Sequence, residues 1–141
     1  MTNIGAVSNR ERWAADWPTY LDTFKATISG TDQIRAWWVT LEAIQAAPMS
    51  FGNTSRTYVF VARGVLGLDD SESTEGTFLD LCESVMNAVD GRTDLGSSAV
   101  IDYSVGPSQL RMIEHRMFGS VLCHYAEIEI RAEVEVAVAY A

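Results

Sequence analysis

The stretch His124-Tyr-Ala-Glu-Ile-Glu-Ile-Arg-Ala-Glu-Val-Glu-Val-Ala-Val-Ala-Tyr140 decides the fold. From Ala126 to Val138 every even position is apolar: Ala126, Ile128, Ile130, Ala132, Val134, Val136, Val138. The odd positions from 127 to 135 read Glu127, Glu129, Arg131, Glu133, Glu135. Successive side chains of a strand point to opposite faces, so this spacing predicts a long β-strand with one buried face and one acidic, wetted face. A helix would scatter the same residues around its whole circumference. A strand of this length needs a sheet to hold it.

Working back from that strand, Leu110 to Phe118 reads as its partner, with Gly119-Ser120 at the turn and Val121 to Tyr140 returning. A short strand around 99–105 is ended by Gly106-Pro107. Further upstream, Phe78, Leu81, Cys82, Val85 and Val89 fall on one helical stripe. The acidic, capping-rich stretch Asp69-Asp-Ser-Glu-Ser-Thr-Glu-Gly76 leads into it and Gly91 stops it, which predicts a helix over 74–90. Ile34 to Ala46 is rich in aromatic and β-branched residues and reads as a strand. Pro48-Met-Ser-Phe-Gly-Asn-Thr-Ser55 reads as a long loop, and Arg56 to Leu68 as a second strand buried on both faces. Those two strands should pair as an antiparallel hairpin, with Gly64 and Gly67 weakening or bulging its far end.

Near the N-terminus, Trp13, Trp17, Tyr20 or Leu21, Phe24 and Ile28 recur at spacings of three and four. With Asp16 as cap and Pro18 in the first turn they predict a helix near 17–29, and 8–15 a separate helical turn. The expectation is one domain over 1–141, with an N-terminal helical segment about 8–29 and a hairpin–helix–hairpin core about 34–138. Its class is α+β: an antiparallel sheet built from two hairpins with one or two helices packed across one face.

Length and composition agree with a globular chain: 141 residues, 48% hydrophobic and 21% charged. No apolar run approaches the roughly 18 residues of a membrane span. Met1-Thr-Asn-Ile-Gly-Ala-Val-Ser8 lacks the basic and apolar regions of a signal peptide, and Cys82 and Cys123 form no C-x-x-C pair, so an intracellular origin with reduced thiols is expected. The net charge of −9 divides unevenly. Residues 1–68 hold six basic and five acidic groups, +1, whereas residues 69–141 hold four and fourteen, −10. Such a surface does not bind nucleic acid phosphates, which need clustered Lys and Arg. It serves solubility, or keeps passing DNA from adhering.

The residue types that carry chemistry are sparse. His115 and His124 are the only histidines, and Cys123-His124 stand on opposite faces of a strand, so they cannot converge on one metal without further ligands. Asp69, Asp70, Glu72 and Glu75 lack the alternating spacing and glycine of a calcium loop. There is no G-x-S-x-G, P-loop, G-x-G-x-x-G or H-E-x-x-H. No catalytic, cofactor-binding or metal-binding residue is therefore assigned, and no cofactor is expected. The Glu127, Glu129, Glu133, Glu135 ladder repels itself unless cations lie opposite, and Arg111 and Arg131 are candidate neutralisers, as is a neighbouring subunit.

The order hairpin 34–68, helix 74–90, closing hairpin, with Arg116-Met-Phe-Gly-Ser-Val-Leu-Cys-His-Tyr-Ala-Glu-Ile-Glu-Ile-Arg-Ala-Glu-Val134 in that last hairpin, resembles the tail terminator and related neck proteins of long-tailed bacteriophages. The resemblance spans most of residues 10–138. Trp13, Trp17, Trp37 and Trp38 depart from it. It implies a non-enzymatic structural virion protein, made in the host bacterial cytoplasm and located in the tail or neck. Such a protein assembles as a ring, a hexamer in that family. The ring ends tube growth, contacts the tail tube protein and the head-connector or closure protein, and lets DNA pass without specific binding; no membrane is involved. Met49, Phe51 and Asn53 in the first hairpin, with Arg111, Arg131, Glu127, Glu129, Glu133 and Glu135, are the candidate subunit or partner contacts. The alternatives are another neck or tube subunit, or a small oligomeric α+β enzyme or ligand-binding domain with Trp37, Trp38, Tyr58 and His115 lining a pocket.

Overall fold

A computed structural model of the chain describes residues 6–8, 25–28, 31–50, 52–68, 73–90, 100–102, 107–118 and 121–137. These form β1 (Ala6–Ser8), β2 (Lys25–Ile28), β3 (Thr31–Ser50), β4 (Asn53–Gly67), α1 (Thr74–Asp90), β5 (Val100–Asp102), β6 (Gln109–Phe118) and β7 (Val121–Ala137). The class is α+β, with sheet dominant. Four long strands lie in the order β3–β4–β7–β6, each antiparallel to its neighbour. The short strands complete the margins: β1 runs parallel to β3 at Ala36–Trp38, β2 antiparallel at Thr31–Ile34, and β5 pairs with β7 at Glu133 and Val134.

The closing strand is where the alternation puts it. Because paired residues of adjacent strands share a face, the register assigns each side chain. Trp37, Gly64 and Ala126 are in line across β3, β4 and β7, as are Val39, Ala62 and Ile128. Helix α1 lies over this face: Phe78, Leu81, Cys82 and Val85, spaced three and four apart, pack on Trp37, Ala62, Leu66, Ala126, Ile128 and Ile130. Val134 and Val136, on the face of β7 expected to be buried, are only half-buried because they lie in the part of β7 paired with the tip of the β3–β4 hairpin. On the opposite face Ile34, Ala36, Val65, Cys123 and Tyr125 form a second buried cluster.

Gly64 does not bulge β4; it continues the ladder between Trp37 and Ala126. Its hydrogen makes room for the indole, since a Cβ there would lie 2.6 Å from Trp37 Cη2 and Cζ3. The irregularities are elsewhere: in β3 between Leu41 and Ala43 and between Pro48 and Ser50, in β5 between Val100 and Asp102, and in β6 between Leu110 and Met112. Two further expectations give way. Lys25–Ile28, placed in a helix over 17–29, is a strand that folds back on β3 with Ile28 opposite Thr31. Thr27 and Ile28 are β-branched and gain ladder hydrogen bonds there, outweighing a helical periodicity that rests on residues mostly upstream. The rest of the 8–29 helical segment lies outside the described residues. The loop expected over 48–55 is almost all strand: β3 runs on to Ser50 and β4 begins at Asn53, leaving Phe51 and Gly52 between them. Gly52 adopts φ +87°, the left-handed conformation a tight reversal needs. Pro48 is tolerated because no described strand pairs with that edge of β3.

Candidate assembly surface

The acidic face of β7 is less wetted than its sequence predicts. Glu127 is buried, at 6% exposure. Its carboxylate accepts hydrogen bonds from Arg111 Nη2 at 2.8 Å, Arg111 Nε at 3.0 Å and the Tyr125 hydroxyl at 2.6 Å, with Arg63 Nε 3.8 Å away. Burial raises its pKa, but the Tyr125 hydroxyl and the Arg111 and Arg63 cations outweigh that and hold it below the ordinary carboxylate range. Glu129 is lowered by Arg131, whose Nε donates at 2.7 Å, and by Arg111 Nη1 at 3.5 Å. Tyr125 is pushed up to about 12 by burial and by the adjacent Glu127 carboxylate. The Arg116 guanidinium lies 3.9 Å over the Tyr125 ring and pairs with Glu114.

Two of the register shifts explain how this network spans the sheet. In the middle of β3 the extra residue is Glu42, and in β6 it is Arg111. A bulge re-aims the residue it ejects, and these two meet: Arg111 Nη2 is 2.8 Å from Glu42 Oε2. Three interstrand steps of roughly 4.8 Å separate β3 from β6 in a flat sheet, about 14 Å in all. Both side chains therefore reach across the face, above β4 and β7, to join the outermost long strands.

Of the candidate contacts, Arg111, Arg131, Glu127 and Glu129 come together, while Glu133 accepts from Ser55 Oγ at 2.6 Å and Glu135 is exposed. Arg111 and Arg131 are neutralisers, as their positions suggest. Asn53 opens β4 opposite Ser50 and Ala137, at the hairpin tip; Met49 belongs to β3 rather than to a loop, and Phe51 lies outside the described residues. Trp37, Trp38, Tyr58 and His115 do not converge. Trp37 is buried against Phe78, Trp38 packs on the opposite face, and Tyr58 stacks on Phe60. His115 sits across from His124, ring centroids 5.0 Å apart, and His124 is buried with Nε2 3.0 Å from Thr74 Oγ1. No group of three or more His, Cys, Asp or Glu that could hold a metal occurs among the described residues.

Sequence reasoning missed Arg63, Glu42 and Tyr125, whose roles depend on register. It also missed the exposed apolar side chains of the two outer long strands. Leu41 and Ile44 of β3 are 48% and 53% exposed, and on β6 Leu110, Met112, Ile113 and Met117 are all exposed, Met117 at 61%. A signal for the second group exists: Leu110-Arg-Met-Ile-Glu-His-Arg-Met117 lacks clean alternation, with apolar residues adjacent at Met112-Ile113. No protein-family model matches the chain, and comparison with curated proteins found no match.

Proposed function

We propose that this chain is a non-enzymatic structural virion protein that forms a ring at the head-proximal end of a phage tail, ending tube growth and joining tail to head connector. The observation that carries the reading is the pair of exposed apolar strands, Leu41 and Ile44 on β3 and Leu110, Met112, Ile113 and Met117 on β6. Apolar side chains gathered on exposed strands favour a protein interface over solvent. Two features add support. The polar groups that are gathered together, Arg63, Arg111 and Arg131 with Glu42, Glu127 and Glu129, neutralise one another and leave no poised base or nucleophile among them. The outer side of α1 carries Glu75, Asp80 and Glu83, all exposed, which suits a lumen that DNA crosses without sticking.

In this reading the partners are further copies of the chain, six by the family pattern, with tail tube protein on one side of the ring and the head-connector or closure protein on the other. Negative-stain electron microscopy of purified protein, with light scattering for mass, tests it. Short six-fold rings are the expected result. Extended tubes would assign the chain to the tube instead, and discrete dimers with turnover of a small molecule would overturn the structural reading.

A further inference from the structure

We propose that the helix-side face of β6 and the flank of α1 beside it form a groove that takes an amphipathic helix of a partner protein, apolar on one side and cationic along its edge. The inference shares with the ring reading only the exposed residues of β6 and does not require a ring. Register places Leu110, Ile113, His115 and Met117 on the same face as Ile128, Ala126, His124 and Leu122 of β7, the face that α1 covers farther in. No described residue of β6 belongs to the core beneath α1. Leu110, Ile113, Met117 and Leu122 are left exposed there.

The C-terminal end of α1 identifies which of its flanks borders these residues. Asp90 accepts hydrogen bonds from Ser108 N at 2.7 Å and from Ser108 Oγ at 3.0 Å, immediately before β6 begins. Glu75, Leu79, Glu83, Met86 and Asp90 recur at intervals of four, four, three and four, one stripe of a helix, so this stripe looks toward β6. Leu79 is exposed and Met86 half-buried. The floor of the groove is apolar through Leu110, Ile113 and Met117, and its wall through Leu79 and Met86. The two methionines add apolar surface that adapts to what it meets.

Dimensions select a helix as the occupant. Packed helices lie about 8–10 Å apart, two interstrand steps of roughly 4.8 Å, so a helix beside α1 rests over β6. Leu110 to Met117 spans about 20 Å of strand, the length of about 14 helical residues. A strand added at the edge of β6 would leave Leu79 and Met86 uncovered. Charge selects the sign. α1 contains no Lys or Arg, and Glu75 and Glu83 stand exposed along the rim. The cations of β6 serve the other face: Arg111 pairs with Glu42 and Glu127, and Arg116 lies over the Tyr125 ring. An occupant with Lys or Arg along one edge is therefore attracted, and an acidic one repelled.

Fluorescence anisotropy of the full chain with three synthetic peptides of about 16 residues tests this. The first carries leucines at i, i+4, i+7 and i+11 with lysines along the flank. The second has glutamates in place of the lysines, and the third scrambles the first. The lysine peptide should bind with a Kd of roughly 50 μM, and the other two at least roughly tenfold more weakly. Leu79→Ser on the wall and Ile113→Ser on the floor should each weaken the lysine peptide about fivefold, because each removes an apolar contact. Glu83→Lys should weaken the lysine peptide and strengthen the glutamate one. Circular dichroism verifies the fold of each variant, and Ile113→Thr serves if Ile113→Ser unfolds. Equal binding of the lysine and scrambled peptides overturns the proposal, as does no binding of the lysine peptide at about 1 mM. Self-association that Leu79→Ser abolishes, with no peptide bound, assigns the groove to a second copy and also overturns it. Six-fold rings without peptide binding would overturn the groove alone, and peptide binding by a chain that forms no rings would overturn the ring alone.

Discussion

The substitution Gly64→Ala tests the reading of the core most directly. A Cβ at residue 64 would sit 2.6 Å from Trp37 Cη2 and Cζ3 and 2.7 Å from Cζ2, closer than real Cβ contacts come. The obstacle is a rigid ring, not the end of a flexible chain, and the ring cannot retreat freely because Phe78 stacks on it, centroids 6.4 Å apart, with Trp37 itself only 4% exposed. Overpacking a close-packed core costs typically 1–3 kcal/mol, and a rigid aromatic obstacle belongs near the upper end, about 3 kcal/mol. Replacing glycine in a strand returns roughly 0.5–1 kcal/mol. The net expectation is a loss of about 2 kcal/mol, read from urea unfolding followed by circular dichroism at unchanged m-value. Trimming the obstacle identifies the cause. Trp37→Leu alone should cost about 3 kcal/mol for the cavity it leaves. Combined with Gly64→Ala it should cost clearly less than the sum, by about 2 kcal/mol, because the added methyl then fills space. A neutral or stabilising Gly64→Ala, or strict additivity with Trp37→Leu, would refute the argument that this glycine exists to seat the indole.

Other expectations follow from the same geometry. Gly76→Ala, with nothing within 4 Å of the new methyl in α1, should stabilise by about 0.5–1 kcal/mol in the same assay, setting it apart from Gly64. Glu127→Gln leaves Arg111 and Arg63 facing a neutral amide and should destabilise by about 2 kcal/mol, more than Glu42→Gln at its exposed end of the network, which should cost under about 1 kcal/mol. Glu127 and Glu129 are lowered on folding, so their contribution is complete above the ordinary carboxylate range and is lost as pH falls through their folded values. Urea unfolding between pH 7 and 3 should show that acid loss, shallower in Glu127→Gln. Tyr125 is raised to about 12, so its contribution is complete below about pH 10 and lost as pH rises through 12. Tyr125→Phe should flatten that alkaline decline. Burial pushes Cys82 and Cys123 up to about 11, so both thiols should be inert to a thiol reagent at pH 8 until the protein is unfolded.

Local pattern sufficed for elements whose partners are dictated by periodicity. The period-two alternation of 126–138 marked β7, and Phe78, Leu81, Cys82 and Val85 marked α1, because one-sided burial imposes its period on the sequence. Where the pattern was ambiguous, pairing decided: Lys25–Ile28 became a strand by folding onto β3, and β3 ran on through Pro48 and Ser50 because Thr54 and Asn53 stood opposite them, with Met49 the extra residue between. The α+β class and the candidacy of Arg111 and Arg131 as neutralisers of the acidic ladder were thus set by the chain alone. That Glu127 is buried rather than wetted, that Arg63 and Tyr125 serve it, and that Glu42 meets Arg111 above two intervening strands came only from tertiary structure. Side-chain alternation reports which face a residue occupies but not which residue of another strand lies beside it. Register and bulges are relations between distant segments, fixed by the whole sheet closing on one core, and no single segment encodes them.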